Sequence, residues 1–149
     1  ASGYSWVVAL HHGDHTHPFP GPVVGVTSGT SVIPTSGEDA TDAENVAVLL
    51  ERLAEAGAVT DAQRSARFRC VLVLRYPDGT ETTAQGSVEG HIAAAPVGEG
   101  GFGYDPVFVP SAIDAGGDGR TFAQMTAGEK HAVSHRGRAL RLLVASFDA

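Results

Sequence analysis

The sequence predicts an α/β protein, and three stretches carry that prediction. The first is a helix start. Thr41-Asp-Ala-Glu44 places a hydroxyl three residues before a carboxylate, the reciprocal pairing that satisfies two free amides at a helix N-terminus. Val46, Leu49, Leu50 and Leu53 follow at helical spacing and Gly57 supplies a stop, so the spacing predicts a helix over 42–56. The second is a hairpin. Over 68–76, Phe68, Cys70, Leu72, Leu74 and Tyr76 fall on one face of a strand, and Arg69 and Arg75, with Arg67 just before them, fall on the other. Pro77-Asp-Gly79 is a turn, and 80–92 returns as the antiparallel partner, with Gly86 and Gly90 as expected bulges. The third is a helix over 136–147 behind an N-capping Ser134, with Leu140, Leu143, Val144 and Phe147 as its expected buried stripe. Thr126 and Glu129 form a second capping box just before it. Helices and strands alternate irregularly without a repeat or a linker, so residues 1–149 read as a single domain.

Residues 1–36 are less regular. Residues 5–10 suggest one short strand, and 23–32 one or two more. Pro18, Pro20 and Pro22 exclude a helix or a central strand between them. His11, His12, His15 and His17 are close enough to share Zn²⁺ or Ni²⁺, but nothing nearby fixes their geometry; a polar loop is the plainer alternative.

Composition narrows the partners. A formal net charge of −7 offers no basic footprint for a nucleic-acid backbone. The lone Cys70 excludes an internal disulfide and, lying in an apolar run, reads as a core residue. No stretch approaches the ~20 apolar residues of a membrane span, and no signal peptide is visible, so a cytoplasmic location without membrane contact is the expectation.

Chemistry concentrates between Gly98 and Arg136. Four glycines lie between Gly98 and Gly103, where a backbone can approach a ligand closely. Phe102 and Tyr104 alternate with glycines and offer a ring on which a nucleobase could stack, worth ~1–3 kcal/mol. Asp105 can accept from a ring N–H, and Arg136 can donate to a purine O6. Lys130 supplies a point charge for base or phosphate, and the helix start at Ser134 adds free amides. The same residues would also suit a tight turn packed on a core and a solvated helix cap. Their order is not that of a P-loop.

Three segments give these residues a context. Gly98-Glu-Gly-Gly-Phe-Gly-Tyr-Asp-Pro-Val-Phe108, Thr121-Phe-Ala-Gln-Met125 and Glu129-Lys-His-Ala-Val-Ser-His-Arg136 stand in one order. Gly37-Glu-Asp-Ala-Thr-Asp-Ala-Glu-Asn45, 66–72 and 86–90 precede them. From about Gly37 onward the chain resembles the inosine triphosphate pyrophosphatase family, also described as dITP/XTP pyrophosphatases. Gln124 replaces that pattern's Glu, and His131 its Asn. The resemblance implies hydrolysis of ITP, dITP or XTP to the monophosphate and pyrophosphate with Mg²⁺. It implies an elongated mixed sheet flanked by helices, a cleft between two lobes, and a homodimer. Carried over, Phe102, Gly103, Tyr104 and Asp105 would form the base pocket, with Lys130, Ser134, His135 and Arg136 completing substrate binding.

The resemblance stops short of the family's chemical groups. Residues 1–36 hold no SxNxxK motif, and no metal ligand can be placed. The DDSGL-type motif carrying the catalytic base would fall near residues 14–17, where Asp14 is the nearest candidate. The abrupt change near Gly37 favours a fragment or a misread gene start or reading frame over a diverged member. It predicts weak activity or none, with a nucleotide-binding or dimer-forming remnant as the alternative and a His-rich metal module as a third.

Overall fold

A computed structural model describes residues 5–9, 23–27, 30–34, 40–75 and 81–147. The expected Pro77–Gly79 turn, Asp14 and the four clustered histidines lie outside the described residues. Among the described residues six strands form one mixed sheet: β1 (Ser5–Ala9), β2 (Val23–Thr27), β3 (Thr30–Pro34), β4 (Ser65–Arg75), β5 (Glu81–Ile92) and β6 (Phe108–Pro110). Their order is β3-β2-β1-β4-β5-β6. The β1–β4 pair is parallel, and the other pairs are antiparallel. The helices are α1 (Asp42–Glu55), α2 (Ala112–Ala115), α3 (Ala127–Val133) and α4 (His135–Ala145).

The capped helix forms where the spacing puts it. Glu44 N–H donates to Thr41 Oγ1 at 3.2 Å, and Thr41 N–H donates to a Glu44 carboxylate oxygen at 2.7 Å. Val46, Leu49 and Leu53 are buried and join Phe68, Val88 and Ile92 of the central strands in one core. Phe68 anchors that core, with Phe108 at 4.3 Å and Phe122 at 5.9 Å between ring centroids. The other face of the hairpin is wet, as its arginines predict: Arg69 and Val71 are exposed, and Arg67 Nε donates to Glu89 at 2.6 Å. The β4 strand begins three residues before the expected start, because small Ala66 gives no strand signal yet is buried. Arg64, just before it, is also buried. Its guanidinium donates to the carbonyls of Ile92 at 2.7 Å, Ala58 at 3.0 Å and Ala93 at 2.7 Å, tying the end of β5 to the loop after α1.

Two expectations are corrected. Gly86 and Gly90 are not bulges, since β4 and β5 pair without interruption from Ser65–His91 to Arg75–Glu81. They mark close approach instead. A Cβ on Gly86 would strike the His135 carbonyl and the Ala139 amide, and one on Gly90 would strike the Val109 carbonyl. The α4 stripe is also different. Leu140, Val144 and Phe147 are exposed, and the buried residues are His135, Gly137 and Ala139. At so short a helix–strand distance only small side chains fit between the backbones, so the long apolar ones point away.

A methyl group at position 86 should therefore cost about 1–3 kcal/mol through overpacking. Chemical denaturation of Gly86→Ala checks this; wild-type stability would mean that α4 does not sit against β5 as described.

Candidate nucleotide-recognition site

The glycine turn gains its shape from three positive-φ residues, Gly98, Gly101 and Gly103. At Gly101 a Cβ would also collide with the Asp105 carboxylate. That carboxylate closes the turn: Phe102 N–H donates to Asp105 Oδ2 at 2.9 Å, and Asp105 N–H donates to the Phe102 carbonyl at 3.2 Å. A short 3-10 turn, Phe122–Gln124, is laced to it through Gly100 N–H to the Ala123 carbonyl and Ala123 N–H to the Asp105 carbonyl, both at 3.1 Å. Gln124 still serves as the cap there, accepting from Thr121 N–H at 2.9 Å. Gly103 N–H donates to Asp42 Oδ2, at the start of α1, at 2.7 Å.

Opposite the turn stand α3 and α4. Thr126 and Glu129 form the expected capping box of α3. Ser134 ends one helix and begins the next: its N–H donates to the Lys130 carbonyl at 2.8 Å, and its Oγ accepts from Gly137 N–H at 3.1 Å. Lys130 reaches back and pairs with Asp105 Oδ2. Its Nζ lies 4.6 Å from the Phe102 ring centroid, and Arg136 Cζ lies 4.8 Å from the same centroid. Two cations thus hold a ring that remains 48% exposed.

Between these elements lies an open cavity of about 440 Å³. Of the residues expected from sequence, Phe102, Asp105, Lys130, Ser134, His135 and Arg136 line it. Gly103 and Tyr104 do not. Tyr104 is buried in the core, where burial first and then Asp42 push its phenol up. Asp105 is 2% exposed, with one oxygen already committed to Phe102 and Lys130. Sequence reasoning gave no role to Phe122, Met125, Ala127 or His131, which also form walls. Phe122 and Met125 lay inside a motif noticed as a whole, but no periodicity assigned their side chains to a cavity. Cys70 is half-buried; burial raises its thiol, and nearby Arg136 partly offsets that.

His135 is the most unusual member. It is 4% exposed and stacks on Phe68 at 5.0 Å between centroids. Neither ring nitrogen has a hydrogen-bond partner among the described residues. Burial, then the neighbouring Arg136 and Lys130 charges, push its imidazole down to about 4, so it is neutral at pH 7. A neutral imidazole offers one donor and one acceptor, and leaving both unused when buried is costly. The cavity therefore combines an exposed ring and two cations over a buried, neutral imidazole.

A sequence model of the Ham1 family matches residues 14–146. The chain belongs to the Ham1 family. This bears out the resemblance, and the match reaches upstream of Gly37. The chain is 50% identical to a dITP/XTP pyrophosphatase of Escherichia coli O157:H7 over 125 residues, covering 82% of this chain and 59% of that protein. It is 51% identical to a dITP/XTP pyrophosphatase of Thermus thermophilus over 112 residues, covering 74% and 50%. Among solved structures, the Ham1 protein of Staphylococcus aureus matches with a TM-score of 0.65 at 36% identity, over 76% of this chain and 54% of that one. This Ham1-family chain thus spans 50 to 59% of those curated relatives.

The depressed His135 makes a prediction about stability. Folding excludes a proton that the unfolded chain binds below its ordinary value near 6.5, so this contribution is full above 6.5 and is lost as pH falls towards 4. Glu129, held at about 2 chiefly by Arg120, acts in a lower window, below 4.5. Denaturation at pH 7 and pH 4.5 should show wild type losing roughly 2 kcal/mol more than His135→Phe. Equal losses would place His135 in a solvated setting.

Proposed function

We propose that this cavity recognises the base of a 6-keto purine nucleoside triphosphate, and that the whole protein hydrolyses such nucleotides to monophosphate and pyrophosphate. The observation that carries the reading is the exposed Phe102 ring held between Lys130 and Arg136, beside a buried, neutral His135 whose ring nitrogens have no partner among the described residues. Phe102 would stack on the base. Arg136, which has donors alone, would face O6. The names of the relatives, dITP/XTP pyrophosphatase, support the same substrate class. In this reading Ser134 positions both helices, and Asp105 holds Phe102 and Lys130 in place. Its second oxygen would be the one offered to a ring N–H. A homodimer belongs to the same proposal by family.

Catalysis is a separate matter. The resemblance implies a divalent metal, Mg²⁺. The described residues do not fit it: no group of three or more His, Cys, Asp or Glu side chains is placed to hold a metal. The cavity carboxylate, Asp105, is paired with Lys130. With no SxNxxK motif in residues 1–36, slow turnover is expected of this chain. Ordinary enzymatic release of pyrophosphate from ITP with Mg²⁺ would overturn that expectation. No helix among the described residues is long and apolar enough to cross a membrane. A cytoplasmic location remains part of the proposal.

Base recognition can be measured without turnover. Adenine presents a donor at position 6, and two donors facing each other in a dry site cost ~1–3 kcal/mol each. Calorimetry should find ITP binding more tightly than ATP, with Arg136→Ala narrowing the gap. Equal affinities for the unmutated chain would refute the 6-keto reading. Phe102→Ala should weaken ITP by ~1–3 kcal/mol while leaving the fold intact; unchanged affinity would make the ring a structural element.

A further inference from the structure

We propose that Asp42 is a positioning residue for the nucleobase turn, acting on Phe102 from the start of α1. The proposal rests on the nucleotide reading of the cavity. Phe102 sits between Gly101 at φ +74° and Gly103 at φ +61°. Glycines on both sides leave the backbone unusually free, so the ring's placement depends on external ties. Two successive amides each have a carboxylate. Phe102 N–H donates to Asp105 Oδ2 at 2.9 Å, and Gly103 N–H donates to Asp42 Oδ2 at 2.7 Å. The Asp105 bond joins residues three apart and shapes the turn. The Asp42 bond crosses 61 positions and ties the turn to α1. Asp42 is itself held in place because it directly follows Thr41, the capping residue of that helix. Its carboxylate also bears on Tyr104, the next residue of the turn. Asp42 does not line the cavity, so it acts on a ligand through Phe102.

A carboxylate in the first turn of a helix also favours the helix dipole, and the test separates the two roles. Asp42→Asn keeps an acceptor oxygen and loses the charge; Asp42→Ala loses both. ITP calorimetry should show Asp42→Ala binding about threefold to tenfold more weakly. Asp42→Asn should remain near wild type, and Asp42→Ala should add no further loss in a Phe102→Ala background. In the ligand-free protein, hydrogen exchange at the Gly103 amide should quicken in Asp42→Ala alone of the two. Wild-type affinity in Asp42→Ala would overturn the proposal. So would equal losses in the two Asp42 variants, or an Asp42→Ala loss that persists without Phe102. If wild type itself fails to bind ITP, the nucleotide reading fails, and unchanged Gly103 exchange in Asp42→Ala would then reject the tether as well.

Discussion

The contact of α4 with β5 at Gly86 governs the geometry of the cavity. Because Gly86 has no side chain, the His135 carbonyl and the Ala139 backbone can lie directly on the strand. That closeness presses the His135 ring under the sheet face against Phe68. It leaves Arg136, one residue on, half-buried and within 4.8 Å of the Phe102 ring centroid. A wider spacing would let water reach the imidazole and restore its ordinary protonation. The neutral His135 and the poised Arg136 are thus two consequences of one packing distance.

The other wall depends on hydrogen bonds more than on packing. Phe102 is carried on a turn whose glycines permit its path, while Asp105, Ala123 and Asp42 hold it. Lys130 joins the walls by pairing with Asp105 while facing Phe102. An acidic chain of net charge −7 still places the cations Lys130 and Arg136 at one cavity. Local cations are enough to attract an anionic ligand to a protein that is negative as a whole.

The sequence made some of this readable and hid the rest for physical reasons. Capping boxes at Thr41 and Thr126 are local devices, so short spacings revealed both helix starts. The alternation around Phe68 likewise revealed the wet and dry faces of the hairpin. What stayed hidden were contacts between distant segments. Leu140, Val144 and Phe147 looked like a buried stripe because apolar spacing says nothing about helix–strand distance. Gly86 looked like a bulge because a glycine that permits close approach resembles one that bends a strand. His135 could be placed in the site by motif, but its stack on Phe68 and its unpaired nitrogens depend on tertiary burial. The bond from Gly103 to Asp42 has no local signal at all.

The central claim is that the buried, neutral His135 belongs to the wall of a nucleotide-binding cavity. Nitrogen-15 NMR of the imidazole at pH 7 tests it most directly, with ITP added to the folded chain. The account predicts a neutral ring before addition and a marked shift of at least one ring nitrogen as ITP binds, without protonation. A ring already protonated, or one whose nitrogens do not respond while ITP binds, would contradict it.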